Sequence, residues 1–270
     1  MARHSLAGVV LTVCTPSVPE GDVGSNPATR SSTMTFSDLL ERIANARQRI
    51  GISKHPAWFR GHSNQEYRLL PSLLRHRLGL KHERNLYAIF RQKAAPFLEA
   101  NLNSWSVLAM MQHHGVPTRM LDWTESLDVA LFFAVCENRS HPCIWILNPY
   151  RLNTLAIGEN IIFDESDELP FDYYRTVRDK EWPHELPLAC AAPWINERVR
   201  RQRGCFTIHG KDSRALEMMD GKFAKRIDIP THLVSDIRQY FRQKDFDFFE
   251  IYPDLPGLAK TLVRQFRLDT

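Results

Sequence analysis

The chain has 270 residues, 43% of them hydrophobic, enough for one large domain or two small ones. Formal net charge is +4 with no block of five like charges, a mild basicity that suits an anionic ligand without demanding nucleic acid. Five scattered cysteines (Cys14, Cys136, Cys143, Cys190, Cys205) form no CxxC, which argues against a disulfide framework or a zinc ribbon and for reduced thiols in the cytoplasm.

Residues 1–33 differ from the rest. Leu6 to Cys14 is a short apolar run after Arg3 that weakly resembles a signal peptide, but no small-x-small cleavage site follows closely. Ser17 to Ser32 is rich in Pro, Gly, Ser and Asn and reads as disordered. Gly24-Ser25-Asn26-Pro27 is what GGT-TCG-AAT-CCN encodes, a string that matches the T-arm of many tRNA genes. Two readings follow: upstream DNA read as protein, with Met34 the start of a gene carried on a mobile element, or an ordinary disordered tail. No apolar run approaches the roughly 20 residues that span a bilayer, so no membrane partner is expected.

From Met34 the pattern is globular. Thr35 or Ser37 caps a predicted helix with Phe36, Leu39, Leu40 and Ile43 on its apolar face, stopping near Gly51. Ala57 to Arg60 reads as a short strand closed by Gly61, and Leu69 to Arg75 as a turn into a short helix. His82 to Ala100 is a predicted long helix with Leu86, Ile89, Phe90 and Phe97 at helical spacing. Ser104 to His114 is another, with Trp105, Leu108 and Met111 inward. Glu125 to Glu137 follows with Leu127, Ala130, Leu131 and Ala134 on one face. Cys143 to Leu147 is a buried strand, and Pro149 opens a short helix. Residues 158–186, acidic and aromatic, read as a lid or an exposed loop. Ile195 to Gln202 is a basic helix, Cys205 to His209 a strand and Phe223 to Ile229 another. Thr231 to Gln243 is a helix carrying Leu233, Ile237, Tyr240 and Phe241. The last begins near Asp254 with Leu258, Leu262 and Phe266. The expected fold over 34–270 is one α+β domain, helix-rich in its N-terminal half, with a small, mostly antiparallel sheet whose strands fall mainly in the second half.

Two segments set charged groups among large apolar ones: Trp58 to His62 and Gly115 to Ser126. A core tolerates such groups only when each finds a partner. The segments therefore either pair with each other or line one pocket.

These segments carry a resemblance. Phe59-Arg60-Gly61 followed by Tyr67, Leu70, Pro71, Ser72 and Arg75 resembles the opening of the FRG domain family. Gln112 to Thr124 resembles that family's second motif. Gln202, Gly204 and Phe206 resemble a third, and Tyr252 to Ala259 a C-terminal one, so that the likeness spans roughly 36–265. Thr124-x-Ser126 with Ala130, Phe133 and Ala134 is similar to a signature of ADP-ribosyltransferases, in which a strand ending in Ser/Thr-x-Ser enters a helix. That likeness implies an ADP-ribosyltransferase-like core and NAD as cofactor. Arg60 takes the place of the early-strand Arg, Ser126 orients the nicotinamide ribose, and Glu250 substitutes for the late Glu, where Gln202-Arg203-Gly204 stands instead.

The implied chemistry is coherent. A guanidinium forks onto phosphate, and a carboxylate stabilises the oxocarbenium-like charge as nicotinamide leaves. The ligand-binding candidates around Arg60 are His62, Thr118, Arg119, Asp122, Trp123, Thr124 and Gln202. Competing roles stand beside each: Arg60 in an ion pair with Asp122, Arg119 paired with Glu125 or Asp122, Trp123 in the core. No metal site is expected, because His113 and His114 point about 100° apart on a helix and no ligand-spaced cluster joins them. Three readings remain open. The first is an NAD-dependent, ADP-ribosyltransferase-like enzyme acting on a macromolecular or small acceptor, in a defence or toxin setting such as phage defence. The second is a non-catalytic FRG module binding a nucleotide-like small molecule. The third is a nucleic-acid-binding protein using the Arg198-Arg200-Arg201-Arg203 face.

Overall fold

The structure, a computed structural model, describes residues 33–52, 55–99, 102–137, 141–163, 171–192 and 197–268. The expectations for residues 1–32 lie outside the described residues. In chain order the helices are α1 (Phe36–Arg49), α2 (Ser72–Arg75), α3 (Gly79–Ala94), α4 (Ser104–His113), α5 (Leu127–Val135) and α6 (Pro149–Ile157). They continue as α7 (Tyr173–Asp179), α8 (Glu197–Gln202), α9 (Val234–Gln243), α10 (Phe248–Ile251) and α11 (Leu255–Gln265). The strands are β1 (Trp58–His62), β2 (Met120–Thr124), β3 (Cys143–Leu147), β4 (Leu188–Ala191), β5 (Gly204–Ile208) and β6 (Ala224–Asp228). They form one antiparallel sheet in the order β4-β5-β2-β1-β3-β6, an α+β architecture.

Strand alternation sorts the side chains into layers. Trp58, Leu121, Trp123, Trp145 and Leu147 point to one face and are covered by Leu69, Leu152, Leu216 and Phe223. The opposite face carries two separate helical groups. Phe59, Ile144 and Ile146 pack under α1, α5 and α9 through Leu39, Ile43, Leu131, Ile237 and Phe241. Met120, Leu188, Phe206 and Ile208 pack under α3, α4 and α7 through Tyr87, Leu108, Met111 and Tyr173. The gap between those groups lies over β1 and β2.

Local signals explain most boundaries. Thr35 caps α1 in a reciprocal box with Asp38, and Asn148, Asp172 and Asp254 cap α6, α7 and α11. Several expectations are corrected. Three strands, not a minority, lie before residue 148, and β1 runs on through Gly61 to His62. The stretch expected as a lid or an exposed loop contains α7, whose Tyr173, Thr176 and Val177 are buried, so this helix packs into the core. On α3 Glu83 and Tyr87 are buried and Leu86 and Phe90 pack partly buried on the same core, while Ile89 is exposed and Phe97 beyond it is 86% exposed. Polar partners meet the buried pair: the Tyr87 hydroxyl donates to the Ser104 carbonyl, and Glu83 receives both Arg119 and the Tyr173 hydroxyl. On α1 the face is Leu39, Ile43 and Ala46, with Leu40 turned out. On α11 Leu262 and Phe266 are exposed. Among the described residues no helix is long and apolar enough to cross a membrane.

Candidate functional site

The sheet has a seam. Five registered pairs join β1 to β3 and five join β2 to β5, but only Phe59↔Thr124 joins β1 to β2. Past that pair the strands part. Gly61 keeps β1 close to α5: a Cβ there would collide with the Ala130 carbonyl and the Ala134 amide. A cavity of about 420 Å³ opens over the seam, walled by α4, α5 and α8, within the size range of small-molecule sites.

Arg60 bridges the parted strands. Its Nη1 donates to the Asp122 carbonyl oxygen at 2.5 Å, and its Nε donates to His62 Nε2 at 3.0 Å. Nη1 also lies 3.9 Å from the Asp122 carboxylate, and 26% of the Arg60 side chain is exposed. Neither hydrogen bond uses Nη2. Asp122 is held from the other side: Gln112 Nε2 donates to both its oxygens at 3.0 Å. The Thr118 hydroxyl accepts from the Met120 amide and donates to Gln112 Oε1, so the amide of Gln112 has one orientation. Asp122 is thereby a carboxylate fixed at the cavity wall with 57% of its side chain exposed.

His62 is buried and neutral. Burial first, then the Arg60 charge, lower its pKa to about 3, with the Tyr67 backbone opposing. A neutral ring is what lets Nε2 accept from Arg60. Burial also lowers the Arg60 pKa, partly offset by Asp122 and deepened by Arg75. Arg68, Arg75 and Arg198 line the same cavity, and among the described residues no carboxylate pairs with any of the three. Asp122 and Glu137 are the cavity's carboxylates; Glu137 accepts from the Ser63 hydroxyl at 3.2 Å. Tyr67, Phe133, Phe206 and Tyr252 supply aromatic wall, and Arg198 stacks 4.6 Å over the Tyr252 ring.

Of the residues singled out in the sequence, the cavity brings together Arg60, His62, Asp122, Trp123, Thr124 and Gln202. Trp123 is 3% exposed and its Nε1 donates to the Thr207 hydroxyl, which places most of the indole in the core. The Thr124 hydroxyl donates to the Gln202 carbonyl and accepts the Ser126 amide. Thr118, Arg119, Ser126 and Glu250 do not line it. Thr118 acts one step behind, through Gln112. Ser126 is the N-cap of α5, its hydroxyl accepting from Val129. Glu250 pairs with Arg201 at 2.7 Å. Arg119 pairs with Glu83, not with Glu125 or Asp122, because its guanidinium points into the helical layer over β5: Nε meets Glu83 at 2.5 Å, Nη1 donates to the Gly210 carbonyl, and the group lies 4.2 Å over Trp182.

Sequence reasoning missed Gln112, Arg68, Arg75 and Glu137 as cavity residues. Gln112 and Arg75 lie inside the motif segments, which was the available signal; Arg68 and Glu137 gave none. Among the described residues no group of three or more His, Cys, Asp or Glu is placed to hold a metal ion.

Fold and cleft define an α+β domain with a cationic, small-molecule-sized pocket at a sheet seam. Residues 55–143 match the FRG domain family. The match takes in the Phe59-Arg60-Gly61 and Gln112 to Thr124 motifs, whereas Gln202 to Phe206 and Tyr252 to Ala259 lie beyond the matched residues. No curated protein and no solved structure matches the chain.

Proposed function

We propose that the cleft binds a nucleotide-like small molecule, with phosphate on the arginines and a flat ring against the aromatic wall. One observation carries this reading: Arg68, Arg75 and Arg198 face one cavity without described carboxylate partners, beside Arg60 with Nη2 uncommitted. Uncompensated guanidinium groups in a concave site favour an anion, and their planar forks suit phosphate oxygens. Tyr67, an exposed ring at the cavity, supplies apolar surface for a base. Thermal shift with inorganic pyrophosphate, ADP, ADP-ribose and NAD tests it, at matched ionic strength. A ligand at a hundred times its Kd stabilises by about 2.7 kcal/mol. No shift with any of the four at millimolar concentration sinks the proposal.

The NAD-dependent transferase is the second reading. Thr124 makes the single β1–β2 pair and Arg60 follows its partner Phe59, in the order that the transferase likeness expects, and two carboxylates face the cavity. Against the particular roles given to Ser126 and Glu250 stand their other engagements, as helix cap and as partner of Arg201. Nicotinamide release from NAD, with and without a protein or nucleic-acid acceptor, separates this reading from a non-catalytic module. The nucleic-acid reading has less support: Arg200, Arg201 and Arg203 are each paired, with Glu197, Glu250 and Glu125, so the α8 face is no continuous basic stripe.

A further inference from the structure

A phosphate-binding cleft does not need an acceptor on its wall, and this one has a positioned acceptor. Asp122 is more than half exposed at the cavity, 3.9 Å from the Arg60 guanidinium. Its geometry is not left to chance. The Thr118 hydroxyl fixes Gln112 Oε1, and the Gln112 amide then spans both Asp122 oxygens. One shared donor and one distant guanidinium leave lone pairs on each oxygen, because a carboxylate has about four acceptor sites. A purely anionic ligand would be repelled here. The ligand must therefore carry donors close to its phosphate.

We infer that Asp122 accepts the hydroxyls of a ribose, so that the cleft selects ribonucleotides over deoxyribonucleotides. This inference rests on the nucleotide reading above. Two parts of a nucleotide offer paired donors to a carboxylate: the ribose 2′,3′-diol and the N1–H/N2–H edge of guanine. Position separates them. Asp122 adjoins Arg60, and the ribose is a few bonds from its 5′-phosphate, whereas the base edge lies beyond the glycosidic bond. The exposed ring of Tyr67 walls the same cavity and serves the base. A site built to bond a hydroxyl discriminates against the analogue lacking it, because its own polar group is then left unpaired.

Calorimetric titration of the full chain with ADP, 2′-deoxy-ADP, GDP and inorganic pyrophosphate tests this. The wild type should bind ADP about tenfold or more tighter than 2′-deoxy-ADP. Asp122→Asn should bring that ratio toward one while holding or raising pyrophosphate affinity, since a negative charge beside the phosphate subsite is gone. Equal binding of ADP and 2′-deoxy-ADP by the wild type overturns the inference and leaves the nucleotide reading standing. So does a preference for GDP over ADP without a 2′-hydroxyl preference, which would assign Asp122 to the base. A ribose preference that survives in Asp122→Asn also overturns it. Failure of pyrophosphate and all nucleotides to bind removes the nucleotide reading and this inference together. The wild-type ratio decides the matter even if the variant proves unstable.

Discussion

Arg60 and Arg119 come from the two motif segments, each among large apolar neighbours, and their surroundings are opposite. Arg119 is 6% exposed and closely paired: a carboxylate at 2.5 Å, a carbonyl, an indole face, and a Glu83 that is itself bonded to Tyr173. Arg60 spans a parted seam and touches a neutral imidazole and a backbone carbonyl, with its nearest carboxylate at 3.9 Å. The first arrangement turns its charge and two donor nitrogens onto the fold. The second leaves donors toward a cavity. The same residue type in comparable motifs thus serves as a clamp in one place and as a socket in the other, and what separates them is the completeness of the shell.

The clamp should give the largest effect when broken. Glu83→Ala strands a buried guanidinium and should cost about 3–5 kcal/mol of stability in a denaturant titration. A loss under about 1 kcal/mol would put Arg119 in the same class as Arg60. Acid comes next. His62 and His209 are held near neutrality by burial, with pKa values of about 3 and about 4. The unfolded rings bind protons near 6.5, so protons favour the unfolded chain: stability is intact above that pH and is lost as pH falls toward those values. Between pH 7.5 and pH 5 each ring should cost about 2 kcal/mol. His209→Leu should flatten the melting profile over that range; an unchanged slope would remove His209 from the account.

The socket should respond in binding rather than stability. Arg60→Lys keeps the charge and loses the fork, and should weaken pyrophosphate or ADP binding by about 1–3 kcal/mol with little change in melting. A large drop in melting with no change in affinity would make Arg60 a second clamp. Asp122→Ala belongs on the same side: its carboxylate is more than half exposed, so stability should fall by less than about 1 kcal/mol. The smallest effect is expected at Glu250→Gln, where loss of the exposed Arg201 pair should change stability by less than about 0.5 kcal/mol and leave binding unaltered.

Much of the fold was legible in the chain. β3 matches the apolar run Cys143 to Leu147 because a strand covered on both faces needs no polar alternation. α9 and the turn before it show their buried face through Leu233, Ile237 and Phe241 at helical spacing. β4 was not read, since Leu188 to Ala191 is short and its small residues carry no strand signal. On α3 the apolar spacing found Leu86 and Phe90, which pack on the core, but not Glu83, which looks like a surface residue until Arg119 and Tyr173 meet it. In the site, Arg60, His62, Asp122 and Gln202 were legible from their motifs. Ser126 and Thr118 carry polar atoms that a motif cannot distinguish from ligand contacts, and in the fold those atoms cap a helix and aim Gln112. Tertiary partners decided these cases, and spacing along the chain does not contain them.

The lone Phe59↔Thr124 rung also has a mechanical consequence. A sheet deforms where its ladder is thinnest. With five rungs on either side and one between, bending strain concentrates at the waist, and each three-stranded half behaves as a stiff plate. Arg60 straddles that waist as a strut, its Nη1 bonded across it to the Asp122 carbonyl. The site and the thinnest join of the sheet coincide.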